Sequence, residues 1–368
     1  MMFYISNDNT NRHQQRLLIR SLCNVAMYIS MCLLFIICMM VILWMPSLSS
    51  SSSSSSVVKN LHQNQLLQSN LNESAKQIPE SVSSSSSMIK TNESQTNIDD
   101  IFITVKTTRI FHKSRLDIIL DTWYTLAKNQ TYFFTDNNDP YYRQILGDHI
   151  VNTNCSVSHN RKALCCKMSV EFDYYIHNDD NKKWWCHFDD DNYVNIPKLI
   201  ELLRHYDPIY DWYLGKTSIK QPLEIDDREF KKKIHFSFAT GGAGFCISRA
   251  LALKMISVAS NGQLISVGDR IRLPDDVTIG YIIEHMLDKK LTEIDEFHSH
   301  LEPMAMLEKN SLRNQVSFSY SGNNINNRNV LQINQLDSIQ NDSTRFYSLH
   351  CYLFPSLCGW KKFDKQLN

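Results

Sequence analysis

The stretch from residue 21 to residue 45 constrains this chain more than any other feature of its sequence. It contains no charged residue and consists mainly of Leu, Ile, Val, Met and Phe. As a helix it would be roughly 37 Å long, enough to cross a hydrocarbon core of about 30 Å. Arg12, Arg16 and Arg20 precede it and a serine run follows it. The bias of basic residues toward the cytoplasm therefore predicts a cytoplasmic N-terminus and a translocated body.

A cleaved signal peptide is the alternative interpretation of the same stretch. The apolar run is too long for an ordinary signal peptide, and no obvious small-x-small cleavage site follows it. We therefore predict a type II topology with a membrane-bound N-terminal part and a lumenal body. Its parts are a cytoplasmic tail (1–20), a transmembrane signal-anchor (21–45), a disordered Ser- and Asn-rich stem (46–98) and a lumenal domain (99–368).

The cysteines beyond the anchor fit an oxidising compartment. Seven occur there, and none forms a Cys-x-x-Cys pair, so they indicate disulfides rather than a zinc site. An odd number leaves at least one thiol unpaired, and the adjacent Cys165 and Cys166 are the obvious place for it. The seven are Cys155, Cys165, Cys166, Cys186, Cys246, Cys351 and Cys358. Sequons at five asparagines (72, 92, 129, 154 and 341) are compatible with the same location.

The charge balance argues against a nucleic-acid partner. The chain has 38 Lys and Arg against 38 Asp and Glu, and its basic clusters are short. Other familiar chemistries also lack support, because neither a Gly-x-Ser-x-Gly nor a His-Glu-x-x-His pattern occurs, nor a kinase or EF-hand pattern.

From Ile98 onward, short apolar runs alternate with amphipathic stretches. This alternation predicts an α/β fold with a mostly parallel sheet, in which ligands bind beyond the carboxyl ends of the strands. An Asn-rich segment near 323–342 is expected to be a loop insertion. The predicted strands are 101–105, 131–135 and 184–188, with extended structure at 212–214, and the predicted helices are 112–127, 163–176 and 196–206.

The triplet Asp189-Asp190-Asp191 directly follows the predicted strand 184–188. Two carboxylates about 4 Å apart repel by about 4 kcal/mol at an effective dielectric constant near 20, so three together favour a cation. Oxygen ligands suit Mg²⁺ or Mn²⁺ shared with substrate phosphates. Capping of the helix that follows is an equally good explanation of the triplet taken alone.

His298 and His300 are a second candidate pair. Alternate residues of an extended chain point the same way, so both imidazoles are able to face one site. Two surface or packing histidines are the ordinary alternative. An imidazole beside carboxylates would favour Mn²⁺ over Mg²⁺.

Pro274-Asp275-Asp276 begins an amphipathic stretch and offers a candidate general base. The same aspartates are also good helix caps. Residues 239–244 are dense in glycine, which suits close backbone approach to a substrate, although a tight turn explains them equally well.

Five segments, in order along the chain, resemble the Fringe glycosyltransferases. The similarity extends from about Ile101 to Cys358. The segments are Val105-Lys-Thr-Thr-Arg109 with Phe111-His112; Trp185-Cys-His-Phe-Asp-Asp-Asp-Asn-Tyr-Val-Asn195; Phe238-Ala-Thr-Gly-Gly-Ala-Gly-Phe-Cys246; Arg272-Leu-Pro-Asp-Asp276 with Gly280-Tyr-Ile-Ile-Glu284; and Phe297-His-Ser-His-Leu301. Phe188 departs from the smaller aliphatic residue expected before the triplet.

The resemblance implies a GT-A fold and the activity of an O-fucosylpeptide 3-β-N-acetylglucosaminyltransferase. Such an enzyme lies in the Golgi membrane and uses UDP-N-acetylglucosamine with Mn²⁺. It extends O-linked fucose on EGF-like repeats of Notch-type receptors. A related β-1,3-glycosyltransferase with another donor such as UDP-galactose, or a non-catalytic lumenal lectin-like module, are the alternatives.

The resemblance also assigns roles to particular residues. Asp191 and His300 would bind Mn²⁺, Asp190 and Arg115 would contact the donor, and Asp276 would be the catalytic base. The disulfides it implies are Cys155–Cys166, Cys186–Cys246 and Cys351–Cys358, which leaves Cys165 as the unpaired thiol.

Overall fold

A computed structural model describes residues 95–178, 181–217, 219–227, 232–322, 327–334 and 342–358. The predicted tail, the anchor and nearly all of the stem lie outside these ranges. In the ranges described, no single helix has the length and apolar character needed to cross a bilayer. The consecutive helices Arg249–Ala259 and Gln263–Ile271, bent by 71°, satisfy that criterion only as a pair, by length and composition.

Within the described ranges, seven strands form a central sheet in the order β10-β6-β9-β4-β1-β2-β3. Two further pairs, β5 with β11 and β7 with β8, are antiparallel ribbons. The strands are β1 (Ile101–Lys106), β2 (Thr131–Thr135), β3 (Ile150–Asn152), β4 (Trp184–Asp189), β5 (Asn192–Val194), β6 (Tyr213–Gly215), β7 (Leu223–Asp227), β8 (Lys232–Phe236), β9 (Phe245–Ser248), β10 (Leu291–Glu293) and β11 (Ser317–Ser319).

Helices cover both faces of the central sheet. Two π-helical turns, His112–Leu116 and Tyr281–Met286, adjoin α1 and α7. The α-helices are α1 (Asp117–Asp121), α2 (Pro140–Leu146), α3 (Arg161–Asn178), α4 (Ile196–Leu203), α5 (Arg249–Ala259), α6 (Gln263–Ile271), α7 (Asp275–Gly280) and α8 (Phe346–Leu353).

The two layers of helices follow from the alternation of side chains along the strands. In β1, Ile101, Ile103 and Val105 pack into one apolar cluster with residues of α1, α4 and α8. Phe102 points to the opposite face and packs with residues of α3, α5 and α6. Burial on both faces explains why the central strand is a continuous apolar run.

The predicted mixed α/β class with a parallel-rich sheet is confirmed. β1 is parallel to β2 and β4, β2 is parallel to β3, and β6 is parallel to β10. The exception is β9, which lies antiparallel between β4 and β6. Four of the six strand pairs in this sheet are therefore parallel.

The prediction of one continuous helix over 112–127 is wrong. The segment is divided into a π turn, α1 and a 3-10 turn (Trp123–Leu126). The break is at Thr122, whose hydroxyl donates to the carbonyl of Ile118 at 2.6 Å and competes with the helical pattern. The predicted apolar face is nevertheless buried, including Leu116 and Trp123.

Candidate active site

The acidic triplet lies where the carboxyl ends of β1 and β4 meet. Asp189 is the last residue of β4 and pairs in register with Lys106, the last residue of β1. Asp190 and Asp191 then form the turn into β5. The triplet therefore occupies the edge of the sheet at which parallel α/β folds bind their ligands.

Asp190 is held by three groups, from the end of β1, from the loop that follows it and from the π-helical turn His112–Leu116. Its backbone N–H donates to the carbonyl of Lys106 at 3.1 Å, and its carboxylate accepts from the Thr107 hydroxyl at 2.7 Å. Arg115 donates to the other carboxylate oxygen at 2.5 Å while its guanidinium stacks over the Phe111 ring. Burial still raises the pKa of Asp190, although Arg115 and Thr107 oppose that rise. The predicted donor-binding pair, Asp190 and Arg115, is thus in direct contact.

Asp191 faces His300 without a hydrogen bond between them. Nδ1 of His300 lies 3.9 Å from Oδ2 of Asp191. Nδ1 of His300 and Oδ1 of Asp191 are both buried and have no hydrogen-bond partner in the described part of the chain. Burial, together with the charges of Asp189 and Asp190, raises the pKa of Asp191 to about 8. Two orphaned polar atoms of this kind are the environment that a shared divalent ion would satisfy.

The two histidines of the His-Ser-His segment do not face one site. His298 is 4% exposed, and its ring nitrogens lie 3.1 Å from Glu302 and 2.8 Å from Gln315. Only His300 turns toward the triplet. Among the residues that the structure describes, no group of three or more His, Cys, Asp or Glu side chains is placed to hold a metal ion. A metal here would therefore need further ligands from the donor or from water.

Asp276 lies on α7, apart from the triplet. Its carboxylate accepts from the backbone N–H of Gly241 at 3.1 Å and of Val277 at 2.8 Å. Burial raises the pKa of Asp276 to about 6, and the neighbouring Asp275 adds to that rise. A carboxylate with a pKa near neutrality is suited to general base catalysis.

The glycine-dense segment lies directly beside both groups. A Cβ on Gly241 would be 3.3 Å from Cβ of Asp276, and a Cβ on Gly242 would be 3.5 Å from Cε1 of His300. Gly244 has φ +86°, and a Cβ there would meet the Phe188 ring at 2.3 Å. Close approach to the Phe188 ring and a left-handed backbone therefore require glycine at position 244.

Covalent and polar links join the segment to the triplet. A disulfide connects Cys186 on β4 to Cys246 on β9. Asn192 donates to the carbonyl of Gly242 at 2.8 Å and accepts from the N–H of Asp189 at 2.9 Å. The other two disulfides are Cys155–Cys166 and Cys351–Cys358. These are the three pairs that the resemblance implies, and Cys165 is a buried free thiol.

Lys106 is a residue of the site that sequence reasoning missed. Its Nζ lies 3.0 Å from Asp189 and 2.6 Å from Asp275, and these carboxylates raise its pKa well above the ordinary value although burial opposes them. The available signal was a lysine at the end of an otherwise apolar strand.

A cavity of about 740 Å³ lies at the carboxyl ends of β2 and β3. Asn137, Asp139 and Arg143 are among its lining residues, whereas the triplet, Asp276 and His300 are not. We place the site at the triplet because the unpaired polar atoms and the carboxylates with raised pKa values lie there.

Known proteins similar to this chain share one description. The family model described as Fringe-like matches residues 96–357. The "Fringe glycosyltransferase" of Drosophila melanogaster is 55% identical over 264 residues, which cover 71% of this chain and 63% of that protein. The "Beta-1,3-N-acetylglucosaminyltransferase lunatic fringe" of Danio rerio is 50% identical over 260 residues, covering 70% of this chain and 69% of that protein. The matched region thus spans less than two thirds of the Drosophila relative.

A third relative and one solved structure complete the comparison. The "Beta-1,3-N-acetylglucosaminyltransferase radical fringe" of Gallus gallus is 50% identical over 262 residues, or 70% of each chain. The solved structure of mouse xyloside xylosyltransferase 1 superposes with a TM-score of 0.34 at 9% identity, over 53% of this chain and 85% of that chain. A structural similarity that weak carries no conclusion about activity.

Proposed function

The chain belongs to the Fringe family, and we propose that it is an inverting β-1,3-N-acetylglucosaminyltransferase with a GT-A fold. Its donor is UDP-N-acetylglucosamine, and its acceptor is fucose O-linked to EGF-like repeats of Notch-type receptors. We also propose that it is a single-pass type II protein of the Golgi membrane with this domain in the lumen. The names of the two vertebrate relatives described above support the transferred sugar and the linkage.

One observation carries the proposal: two consecutive glycines separate a candidate base from a candidate metal pair. Gly241 donates its backbone N–H to Asp276 at 3.1 Å, and a Cβ on Gly242 would be 3.5 Å from His300, which faces Asp191. The base and the group that holds the departing diphosphate are therefore neighbours without touching. A displacement with inversion needs that arrangement, because one base activates the acceptor while the leaving group departs from the opposite side.

The side chains around Asp191 fit the implied Mn²⁺. A separation of 3.9 Å between Nδ1 of His300 and Oδ2 of Asp191 is too long for a hydrogen bond. It is short enough for both atoms to share one divalent ion, and an imidazole with a carboxylate suits Mn²⁺. Bound there, Mn²⁺ would supply Lewis acidity and charge neutralisation toward the diphosphate.

The other candidate residues bind the donor or accept the proton of the acceptor. Arg115 and Asp190, already paired with one another, bind and orient the donor nucleotide. The carboxylate of Asp276 accepts the proton of the fucose 3-hydroxyl as that oxygen attacks the anomeric carbon. No protein nucleophile is required, since a single displacement inverts the configuration.

The test is a transfer assay with the full chain, an O-fucosylated EGF-like domain and a panel of nucleotide sugars. We expect transfer from UDP-N-acetylglucosamine that depends on Mn²⁺ and is lost with a chelator. Transfer from UDP-galactose alone would reject the donor and favour the related galactosyltransferase. An unfucosylated EGF-like domain is the control for the acceptor, and equal transfer to it would reject fucose as the accepting sugar.

A further inference from the structure

Asp189 and Asp275, the first carboxylates of the two acidic motifs, have no task in the proposed chemistry. Both bind Lys106, at 3.0 Å and 2.6 Å from its Nζ. We infer that Lys106 is a positioning residue that fixes the base Asp276 relative to the carboxylates that hold donor and metal. This inference rests on the proposed function, since it concerns how that same site is assembled.

Lys106 contacts both motifs because it ends the central strand. Its carbonyl accepts from the N–H of Asp190 at 3.1 Å, so its backbone holds the triplet. Its side chain, 10% exposed, reaches across to Asp275, whose side chain is 5% exposed. Asp275 and Lys106 are 169 residues apart in the chain. Lys106 therefore connects the acidic triplet to the start of α7.

The Asp189 end of this link is itself anchored. Nε2 of His187 lies 3.5 Å from Asp189, and Nδ1 of His187 lies 2.6 Å from Glu171 on α3. His187 and Glu171 are both fully buried. Charges thus alternate from α3 through β4 and β1 to α7, and an alternating buried row resists displacement of any one member.

The link ends one residue away from the base. Asp275 and Asp276 are neighbours at the start of α7, and Asp276 is fixed on its other side by the N–H of Gly241. A shift of the Asp275 carboxylate therefore moves the base against the glycine segment. A misplacement of about 1 Å at a reacting group is sufficient to reduce a rate by about 100-fold.

The charge of Lys106 also acts on the base, in the direction opposite to that of Asp275. The charged and titratable groups facing Asp276 are Lys106 on β1, Asp275 on α7 and the buried hydroxyl of Tyr213 on β6. The lysine lowers the pKa of Asp276, and Asp275 raises it. Loss of the lysine should therefore shift the acidic limb of kcat/KM to higher pH, and loss of the aspartate should shift it to lower pH.

The experiment compares wild-type enzyme with Lys106→Met and Asp275→Asn over a pH series. We expect kcat to fall at least about tenfold in both variants, with limbs displaced by about one pH unit in opposite directions. Binding of UDP should stay within a few fold of wild type, since neither side chain contacts Arg115 or the Asp190 carboxylate. An acidic limb of kcat/KM that stays at the wild-type pH in both variants, or that moves in the same direction in both, would overturn the inference.

Lys167→Met is the matched control. Lys167 is also buried and ion-paired, at 2.8 Å from Asp136, but it does not contact Asp275. It should lose stability while keeping the wild-type acidic limb, and a shift equal to that of Lys106→Met would count against a specific role for Lys106. If Lys106→Met does not fold, the acidic limb of kcat/KM in Asp275→Asn tests the inference. An acidic limb at the wild-type pH in that variant rejects it.

Failure of the proposed function is distinguished by the wild-type enzyme. If the wild-type chain transfers no sugar, the proposed function is rejected. The effect of Lys106 and Asp275 on Asp276 is then tested by a measurement that needs no enzymatic turnover. Titration of the Asp276 carboxyl carbon by NMR then reports the same opposite shifts. Unchanged titration in both variants would reject the link whatever the activity.

Discussion

At the scale of single residues, the site contains carboxylates that are balanced by cations and carboxylates that are not. Lys106 and His187 hold the pKa of Asp189 well below its usual range although burial opposes them. The nearby cations Arg115 and Lys106 offset burial only in part at Asp191 and Asp276, and burial raises their pKa values to about 8 and about 6. Asp191 and Asp276 have the proposed roles in metal binding and base catalysis, which agrees with the tendency of carboxylates with shifted pKa values to mark functional sites.

Replacement of the base is the most direct prediction at this scale. Asp276→Asn keeps the size of the side chain and removes its ability to accept a proton. We expect kcat to fall by about 100-fold to 10,000-fold, with UDP affinity unchanged because the donor-binding residues lie elsewhere. Steady-state kinetics and calorimetric titration with UDP measure the two quantities. Full activity in this variant would show that the reaction does not use Asp276 as its base.

The histidine pair allows a matched test of metal binding. His300→Ala should weaken Mn²⁺ binding by at least about tenfold, measured by the loss of the free Mn²⁺ signal in electron paramagnetic resonance. His298→Ala is the control, because His298 is buried against Glu302 and Gln315. It should cost about 1 to 3 kcal/mol of folding free energy and leave Mn²⁺ affinity near wild type. The reverse pattern would place the metal elsewhere.

At the scale of elements, local patterns predicted β1, β2, β4 and most of β6, but not the other described strands or the direction of β9. The apolar runs at 101–105, 131–135 and 184–188 match β1, β2 and β4 because burial on both faces leaves a clear signal. The antiparallel direction of β9 could not be predicted, since a short run such as Phe245–Ser248 reads the same in either direction. Thr122 interrupted the predicted first helix through a hydroxyl contact that apolar periodicity does not encode.

The members of the candidate site could be proposed from the sequence, but the contacts between them could not. Asp191, His300 and Asp276 were named from their motifs, and the structure places each beside the glycine segment or the triplet. The contact of Lys106 with Asp275 joins residues 169 positions apart. It depends on the order of the strands, and no local pattern contains that information.

The disulfide between β4 and β9 gives a prediction at the scale of elements. Cys186 and Cys246 close a loop of 60 residues, whereas Cys351 and Cys358 close one of 7. Chain entropy then stabilises the fold by about 4 kcal/mol for the longer loop and about 2 kcal/mol for the shorter. Paired Cys→Ala variants, compared by denaturant unfolding, should preserve this order. An equal or reversed order would mean that strain or residual structure outweighs loop entropy.

At the scale of the whole molecule, stability should depend on pH through the buried His187–Glu171 pair. Burial alone would lower the pKa of His187, but the Glu171 carboxylate, 2.6 Å away, raises it to about 9. A raised histidine pKa contributes stability fully below about pH 6.5, the unfolded value, and the contribution disappears as pH rises through 9. The folded chain should therefore become easier to unfold between pH 6.5 and pH 9.

The difference between wild type and Glu171→Gln isolates this contribution. Without the carboxylate, burial keeps His187 neutral across the interval, so the variant should lose less stability than wild type as the pH rises. Denaturant midpoints at pH 6.5 and pH 9 in metal-free solution give the comparison. Parallel decreases in both proteins would assign the pH dependence to other groups.

The insertion of β9 between β4 and β6 determines the order in which the protein can mature. During synthesis Cys155, Cys165, Cys166 and Cys186 all leave the ribosome before Cys246, the native partner of Cys186. For that interval Cys186 is a free thiol near three others, and only isomerisation can correct a wrong pair formed then. Insertion of β9 into the sheet thus coincides with arrival of the glycine segment and with the only native oxidation of Cys186. Wrong disulfides of Cys186 therefore have to be isomerised at the same step at which the site assembles.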